Sequence, residues 1–302
     1  MSNPSTTQCL FPDLLSKPVV ARFDVDHGSS DGGGILLKAA ERRLDLLGGL
    51  TDCIVDRRDP AKVRHEVREL LGQRIYALAC GYSDCNDAAR LSADPIHKAL
   101  IDRDPVGGDD LGSQPTLSRF ENAVGPRELY RMSEALLGQV VQRHRRRLRR
   151  KARQVIIDLD VTDDPTHGGQ QLSLFNGFYD SYCYLPLLGF LTFNDEAEQY
   201  LCAAMLRPGT ASCQVGTIGM LRRIIRRLRE AWPEIRIRVR LDGGFASPKL
   251  FDYLDAQPNL GYAVGYSSNA VLEREVAESM RRVRRRAKDR YKTCREYGHR
   301  FY

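Results

Sequence analysis

The chain has 302 residues, of which 42% are hydrophobic and 28% charged, and a formal net charge of +7; this is a globular composition with room for about two domains. No stretch approaches the roughly 20 consecutive apolar residues of a membrane span, and the N-terminus lacks the basic start and apolar run of a secretory signal. These features argue against a membrane-spanning or exported protein and predict a cytoplasmic one.

Residues 1–150 are predicted to form a helical N-terminal domain. From Ile35 to about Leu100, apolar residues recur at intervals of three and four, which is the helical period. A short helix is predicted from Ser113 to Asn122, where Arg119 faces outward and could contact phosphates. An ordinary capped helix explains that segment equally well. A further helix is predicted to begin at Pro126.

Basic residues are concentrated in three blocks. The first, "RHRRRLRRKAR" (Arg143 to Arg153), has eight basic residues in eleven, and "RRVRRRAKDR" (Arg281 to Arg290) has seven in ten. The third, "RRIIRRLRE", lies on an amphipathic helix. A solvated helix face explains any one block, but three together favour a polyanionic partner such as nucleic acid. The residues predicted to bind DNA are Arg119, Arg145, Arg146, Arg147, Arg149 and Arg150.

Residues 151–290 are predicted to form an α/β unit. Their pattern predicts three consecutive strands, a helix, a strand, a helix and a strand, which gives a mixed sheet flanked by helices. The segments are, in order, "VIIDLDVT", "YLPLLGFLTF", "QYLCAAMLRP", "ASCQVGTIGMLRRIIRRLREAWP", "EIRIRVRLDGGF", "SPKLFDYLDAQ" and "LGYAVGYSSN".

Two aspartates stand at strand ends in this layout. Asp160 lies on the first strand, and Asp242 directly follows the fourth. If these strands are neighbours, both carboxylates reach one edge of the sheet, where they could hold Mg²⁺ or Mn²⁺ for phosphodiester chemistry. Two alternatives stay open: Asp caps turns after strands, and Asp158 lies on the same strand face as Asp160. The "TDDP" segment is predicted to be a turn.

The eight cysteines are dispersed and form no CxxC pair. This pattern disfavours a structural zinc site and predicts reduced, buried thiols in the cytoplasm.

Specific motifs support a family relationship. The segment "IDLDVTDDPTHGGQQLSLFNGFYDSYCYLPLLGF" resembles the signature of a subfamily of DDE transposases from bacterial insertion sequences, which have a ribonuclease H-like core. The resemblance continues through "SQPTLSRFEN" upstream and "RLDGGFASPKLFDYL" downstream. Matched by position, the first two catalytic acids of that family fall on Asp160 and Asp242.

The third catalytic acid of that family is a glutamate on a late helix, after a β-rich insertion. Residues 291–302 resemble the start of that insertion, so the resemblance implies a chain truncated before the glutamate. Glu273, Glu275 and Glu278 lack the surrounding residues of the family and are interpreted as surface carboxylates. A 302-residue form without the third acid is expected to bind DNA but to cut it poorly.

The resemblance implies an activity, partners and a location. A transposase would use Mg²⁺ to cut DNA at the terminal inverted repeats, and the freed 3′-hydroxyl would attack target DNA. It would act as a homodimer or larger synaptic complex on the bacterial nucleoid. One alternative is a non-catalytic remnant that binds transposon ends and represses the intact enzyme. Another is a cellular ribonuclease H-like nuclease such as a resolvase, although such enzymes lack the "DVTDDPTHG" segment.

Overall fold

The N-terminal part of the chain is a strand pair followed by helices. The structure is a computed structural model that describes residues 8–10, 19–21, 28–290 and 293–298. The helices predicted between Ile35 and Leu100, at Ser113 and from Pro126 are confirmed. The elements are β1 (Gln8–Leu10), β2 (Val19–Ala21), α1 (Gly34–Leu44), α2 (Leu46–Thr51), α3 (Val67–Ala79), α4 (Ala88–Leu91), α5 (Pro95–Leu100), α6 (Gln114–Ala123) and α7 (Pro126–Leu148).

From residue 154 onward, strands and helices alternate. The elements are β3 (Gln154–Val161), β4 (Asp164–Pro165), β5 (Leu174–Asn176), β6 (Ser181–Tyr184), β7 (Leu187–Phe193), β8 (Tyr200–Met205), α8 (Thr217–Ala231), β9 (Arg236–Leu241), α9 (Pro248–Asp255), β10 (Leu260–Val264) and α10 (Ala270–Arg290).

A mixed five-stranded sheet forms the centre of this second part. Its strand order is β10-β9-β3-β7-β8. The pairs β3–β9 and β9–β10 are parallel, whereas β3–β7 and β7–β8 are antiparallel. Counted along the chain within this sheet, the order is 3-2-1-4-5, which is the ribonuclease H-like arrangement. The predicted fold class, a mixed sheet flanked by helices after a helical N-terminal region, is confirmed.

One face of the sheet carries the main hydrophobic core. In β9 every second residue is buried, as the alternating sequence predicted. Helix α8 covers this face closely at Gly189, where an added Cβ would lie 3.2 Å from Leu159 and 3.4 Å from Ile224. The glycine therefore sets the distance between helix and sheet.

Helix α7 also contributes to this core. Its residues Leu137, Val141 and Leu148 belong to the same buried cluster as the sheet. The His144 ring stacks on Phe193 with centroids 4.2 Å apart. The C-terminal half of α7 thus packs against the sheet, while the division of the chain at residue 150 stays a prediction.

Two local predictions differ from the structure. Helix α8 begins at Thr217 rather than near Ala211, because Gly216 precedes it with a φ of +83° that is incompatible with continuing the helix backward. The predicted "TDDP" turn contains the strand β4, which pairs with β6; β5 pairs with the other edge of β6. We call these three strands the insertion sheet, since they lie between the first two strands of the main sheet.

The end of the chain is only partly described. Residues 293–298 contain no helix or strand, and the rest of the predicted β-rich insertion, residues 291–292 and 299–302, lies outside the described residues. Among the helices that the structure describes, none combines the length and apolar character needed to cross a membrane.

Candidate active site

The register of β3 and β9 brings two carboxylates to one edge of the sheet. Asp158 stands opposite Arg240 in this parallel pair. Asp160 lies two residues beyond Asp158, and Asp242, which directly follows β9, lies two residues beyond Arg240, so a continuation of this register sets the two aspartates side by side. Neighbouring strands lie about 4.8 Å apart, and both aspartates are exposed. The two side chains therefore share one face and one edge of the sheet.

Local backbone contacts orient each of these carboxylates. Oδ1 of Asp160 accepts a hydrogen bond from the amide of Val161 at 2.9 Å. Oδ1 of Asp242 accepts one from the amide of Gly244 at 2.9 Å, in a short 3-10 turn that Asp242 caps. Within the described residues, Oδ2 of each aspartate has no hydrogen-bond partner, so one oxygen of each side chain is available to a ligand.

Asp158 is occupied by other contacts. The Arg240 guanidinium donates to both of its oxygens, at 2.7 and 2.8 Å, and Gln199 donates to Oδ2 at 3.2 Å. The hydrogen bond to Asp158 in turn raises the pKa of Arg240. A carboxylate in a bidentate pair is a poorer candidate for a metal ligand than an unpaired one, so the geometry favours Asp160 over Asp158.

Two residues beside the aspartates were not found from the sequence. Burial raises the pKa of Tyr179, with further contributions from Asp163, Cys213, Asp160 and Asp242. Tyr179 follows β5 of the insertion sheet, and its electrostatic interactions with both aspartates indicate that this part of the insertion sheet is near them. No residue pattern marks this tyrosine, because the insertion sheet itself was not predicted.

Cys213 is the second such residue. Burial raises the pKa of its thiol, and Asp242 and Asp160 raise it further. A Cβ added at Gly244 would lie 2.8 Å from the Cys213 sulfur, so this sulfur packs against the turn that follows Asp242. The loop residues before α8 thus form one wall of the site.

A buried arginine supports that wall. Arg207 is 3% exposed, and its guanidinium donates to the carbonyl oxygens of Leu185, Ser212 and Val215. In the part of the chain that the structure describes, its Nη2 has no hydrogen-bond partner, and burial lowers the pKa of the guanidinium. The arginine ties the loop that carries Cys213 to the strand segment before β7. No sequence signal distinguishes it from the many other arginines.

The residues that the structure describes do not place a third acidic ligand with the pair. Among the described residues, no group of three His, Cys, Asp or Glu ligand atoms lying within 4.8 Å of one another includes Asp160 and Asp242. Glu273, Glu275 and Glu278 are exposed on α10, and Glu278 pairs with Arg282 at 2.8 Å. His167 is exposed in the loop after β4.

The predicted DNA-binding arginines lie in two places. Arg145, Arg146, Arg149 and Arg150 are exposed at the C-terminal end of α7 and just beyond it, whereas Arg147 pairs with Glu196 at 2.7 Å. Arg119 lines a cleft of about 1250 Å³ in the helical region. Other cations on that cleft are Arg57, Arg58, Lys62, Arg64 and Arg103.

The arginines of α8 form intramolecular contacts instead. Arg223 and Arg226 approach Glu134 of α7 at 3.6 and 3.5 Å. Arg227 pairs with Glu230 at 3.3 Å, and Arg229 donates to the carbonyl oxygen of Pro258 at 2.6 Å. This third basic block connects α8 to its neighbours, so it is weaker evidence for a polyanionic partner than the block at the end of α7.

One comparison with known proteins supports the broader part of the resemblance, a DDE transposase domain. A family model described as "Transposase DDE domain group 1" matches residues 11–302. No curated protein matches the sequence. The solved structures that are matched include a pre-cleavage Mos1 transpososome, with 13% identity over 80% of this chain and 69% of that one, and a Mos1 strand transfer complex, with 14% identity over 80% and 78%. Both have a TM-score of 0.24, which is too low to support an argument about this chain.

Proposed function

The chain belongs to the family of group 1 transposase DDE domains, and we propose on that basis that it is a DNA transposase whose Asp160 and Asp242 hold divalent metal ions. The observation that supports these two residues most strongly is the parallel pairing of β3 and β9, whose last recorded pair, Asp158 and Arg240, stands two residues before Asp160 and Asp242.

The donor set fits the metal that the proposal requires. DDE transposase domains generally use divalent metal ions. Mg²⁺ and Mn²⁺ prefer carboxylate oxygens, and Mg²⁺ is commonly held by one or two carboxylates together with water and substrate phosphate. Asp160 and Asp242 offer oxygens of this kind from an exposed edge that leaves room for water and phosphate. When bound, such ions activate water and stabilise the leaving oxygen in phosphodiester cleavage.

The neighbouring residues limit the negative charge at this edge of the sheet. Arg240 neutralises Asp158 through two hydrogen bonds, so the sheet does not add a third unpaired anion where a DNA phosphate must approach. The backbone amides of Val161 and Gly244 fix the two carboxylates. We infer that these contacts pre-orient the aspartates before metal and DNA arrive.

A second candidate function depends on whether the protein has a third carboxylate ligand for the metal ions. Within the described residues, no carboxylate completes a group of three with Asp160 and Asp242, and a protein that binds DNA without cutting it would need no such group. A chain that only occupies transposon ends would act as a repressor of an intact enzyme.

Cleavage of a labelled duplex that carries the inverted repeats flanking the coding region separates the two functions. For the transposase we expect slow nicking with Mn²⁺, which disappears in Asp160→Asn and Asp242→Asn while DNA binding is retained. Binding without nicking in any metal ion, unchanged by both substitutions, would support the repressor. Rapid Mg²⁺-dependent cleavage would show that a complete ligand set is present.

The exposed block at the end of α7 should govern DNA affinity. Replacing Arg145, Arg146, Arg149 and Arg150 with glutamine is expected to weaken binding and to lower the slope of log affinity against log salt. Each lost phosphate contact lowers that slope by about 0.9, so four contacts correspond to about 3.6. Fluorescence anisotropy with a labelled duplex over a range of salt concentrations measures both quantities.

A matched control uses arginines that already have carboxylate partners. The double variant Arg226→Gln/Arg227→Gln removes two cations that lie within 4 Å of Glu230. We expect its slope of log affinity against log salt to differ from the wild-type slope by no more than about 0.9, which is the value of one phosphate contact. An unchanged slope in the α7 variant would assign DNA binding to another surface.

Partners and location follow from a DNA substrate. The proposed partners are transposon ends and target DNA, held by a homodimer or larger synaptic complex. A chain acting on bacterial chromosomal DNA would work in the cytoplasm, on the nucleoid.

A further inference from the structure

Three segments that are distant in the sequence meet in the helical N-terminal region. Asp31 precedes α1, Cys80 directly follows α3, and His97 lies in α5. One ligand atom from each residue lies within 4.8 Å of the other two. The Asp31 Oδ2 and His97 Nε2 atoms are 2.9 Å apart. This is the one such group of three among the residues that the structure describes.

The donor set of this cluster differs from that of the aspartate pair. It offers one thiol sulfur, one imidazole nitrogen and one carboxylate oxygen, and Zn²⁺ binds all three kinds of ligand. Ligand atoms around a tetrahedral zinc ion lie roughly 3.3–3.8 Å apart, given bond lengths of about 2.0–2.3 Å. The Asp31–His97 separation of 2.9 Å lies just below this range, and the other two separations are at most 4.8 Å, so the three atoms are already close to this arrangement.

Burial and supporting contacts resemble those of a metal site. The His97 side chain is 1% exposed and that of Asp31 11%, so water reaches the cluster from one side and could provide a fourth ligand. The Asp31 Oδ1 atom accepts a hydrogen bond from Ser30 at 3.2 Å. Ligating carboxylates and histidines are characteristically held by such outer contacts.

A simple hydrogen-bonded Asp–His pair does not account for Cys80. The described cysteines nearby have partners: the Cys53 thiol contacts the carbonyl oxygen of Gly49, and the Cys85 thiol contacts Glu121. Within the described residues, Cys80 makes no hydrogen bond, although its sulfur lies beside both Asp31 and His97. A metal ion explains why these three groups are together.

From this geometry we propose that Asp31, Cys80 and His97 bind a zinc ion, with water as the fourth ligand. The ion would connect the segment before α1 to α3 and α5. The sequence disfavoured structural zinc because the cysteines form no CxxC pair. That reasoning examined only local spacing and could not detect ligands from three separate segments.

The test uses the full chain, stripped with a chelator and supplied with Zn²⁺ or Co²⁺ in excess Mg²⁺, which occupies the carboxylate site. We expect about one zinc per chain by mass spectrometry and a cobalt spectrum with tetrahedral and thiolate charge-transfer bands. Cys80→Ser should lose the thiolate band, and its zinc affinity should fall at least about tenfold. Zinc should also raise the melting temperature of the wild type but not of this variant.

The matched control is Cys85→Ser, which changes a thiol of the same region outside the cluster and should bind zinc as the wild type does. If Cys80→Ser does not fold, Asp31→Asn replaces a different ligand, in the segment before α1. Its zinc affinity is then compared with that of the control. The proposal is wrong if zinc binds at far less than one ion per chain, if cobalt shows no thiolate band, or if the cluster variant binds as tightly as the control.

Discussion

Replacing either Asp160 or Asp242 with asparagine is expected to lower metal affinity by at least about tenfold, since even the loss of an outer contact to a ligand costs about that much. Tb³⁺ is a suitable probe because it binds oxygen ligands and its luminescence is sensitised by a nearby tyrosine, here Tyr179. Asparagine keeps the acceptor that the amides of Val161 and Gly244 use, so the substitution removes charge with little change in shape.

The control for this prediction removes a neighbouring charge pair without changing the net charge. Asp158→Asn/Arg240→Gln eliminates an anion and the cation bound to it at 2.7 Å, on the same face of the sheet. We expect Tb³⁺ affinity within about twofold of the wild type, since the pair makes no direct contact with the proposed metal. Equal losses in this control and in the single variants would show a general electrostatic effect rather than ligation.

A stability measurement distinguishes ligands from structural residues. Two exposed carboxylates on neighbouring strands repel each other, so the metal-free Asp160→Asn protein should be as stable as the wild type or slightly more stable. Substitution of a residue with a structural role would instead lower the stability of the folded protein. Thermal unfolding with and without Mn²⁺ measures both effects in one experiment.

Gly209→Ala is expected to have the largest effect on the geometry of the site. An added Cβ would overlap the carbonyl oxygens of Cys183 and Leu174, which belong to β6 and β5. These are backbone atoms, so the insertion sheet itself must move. Overpacking of this kind costs about 1–3 kcal/mol or more, and urea unfolding should show a loss of that size.

The Gly209→Ala variant should also show that the position of Tyr179 and the affinity for the metal can change independently. Movement of the insertion sheet takes the tyrosine away from the aspartates, so sensitised Tb³⁺ luminescence should fall while affinity changes much less. Gly169→Ala is the matched control, because nothing lies within 4 Å of its added Cβ, and we expect a change within about 0.5 kcal/mol. Equal stability of the two variants would contradict the packing described for Gly209.

Long, periodic elements were predictable from the sequence. The alternation in "EIRIRVRL" predicted β9, and the segment "SPKLFDYLDAQ" predicted α9, which begins where the Ser247 hydroxyl accepts a hydrogen bond from the Leu250 amide. The order of these elements was sufficient to predict a mixed sheet. Each of these signals is local, because it depends on residues within a few positions of one another.

The insertion sheet was not predictable by the same means. Its strands are two to four residues long, too short for a period to appear. Several of its apolar side chains are exposed, including Phe175 at 48% and Tyr182 at 62%. The segment therefore lacks the contrast between buried and exposed positions on which sequence patterns depend.

The choice between Asp158 and Asp160 required the register. Both residues lie on the same face of one strand, and the sequence does not show that Arg240 stands opposite Asp158. The same limit applies to Asp31, Cys80 and His97, which meet only in the folded chain. Pairings between distant segments determine these sites, whereas the sequence reveals mainly the segments themselves.

Crystals soaked in Mn²⁺ would show whether Asp160 and Asp242 jointly hold a catalytic metal ion. We expect an anomalous difference peak with carboxylate oxygens of both residues about 2.0–2.2 Å away. Ordered carboxylates without a peak between them, or a peak coordinated by Asp158 instead, would rule out this metal site.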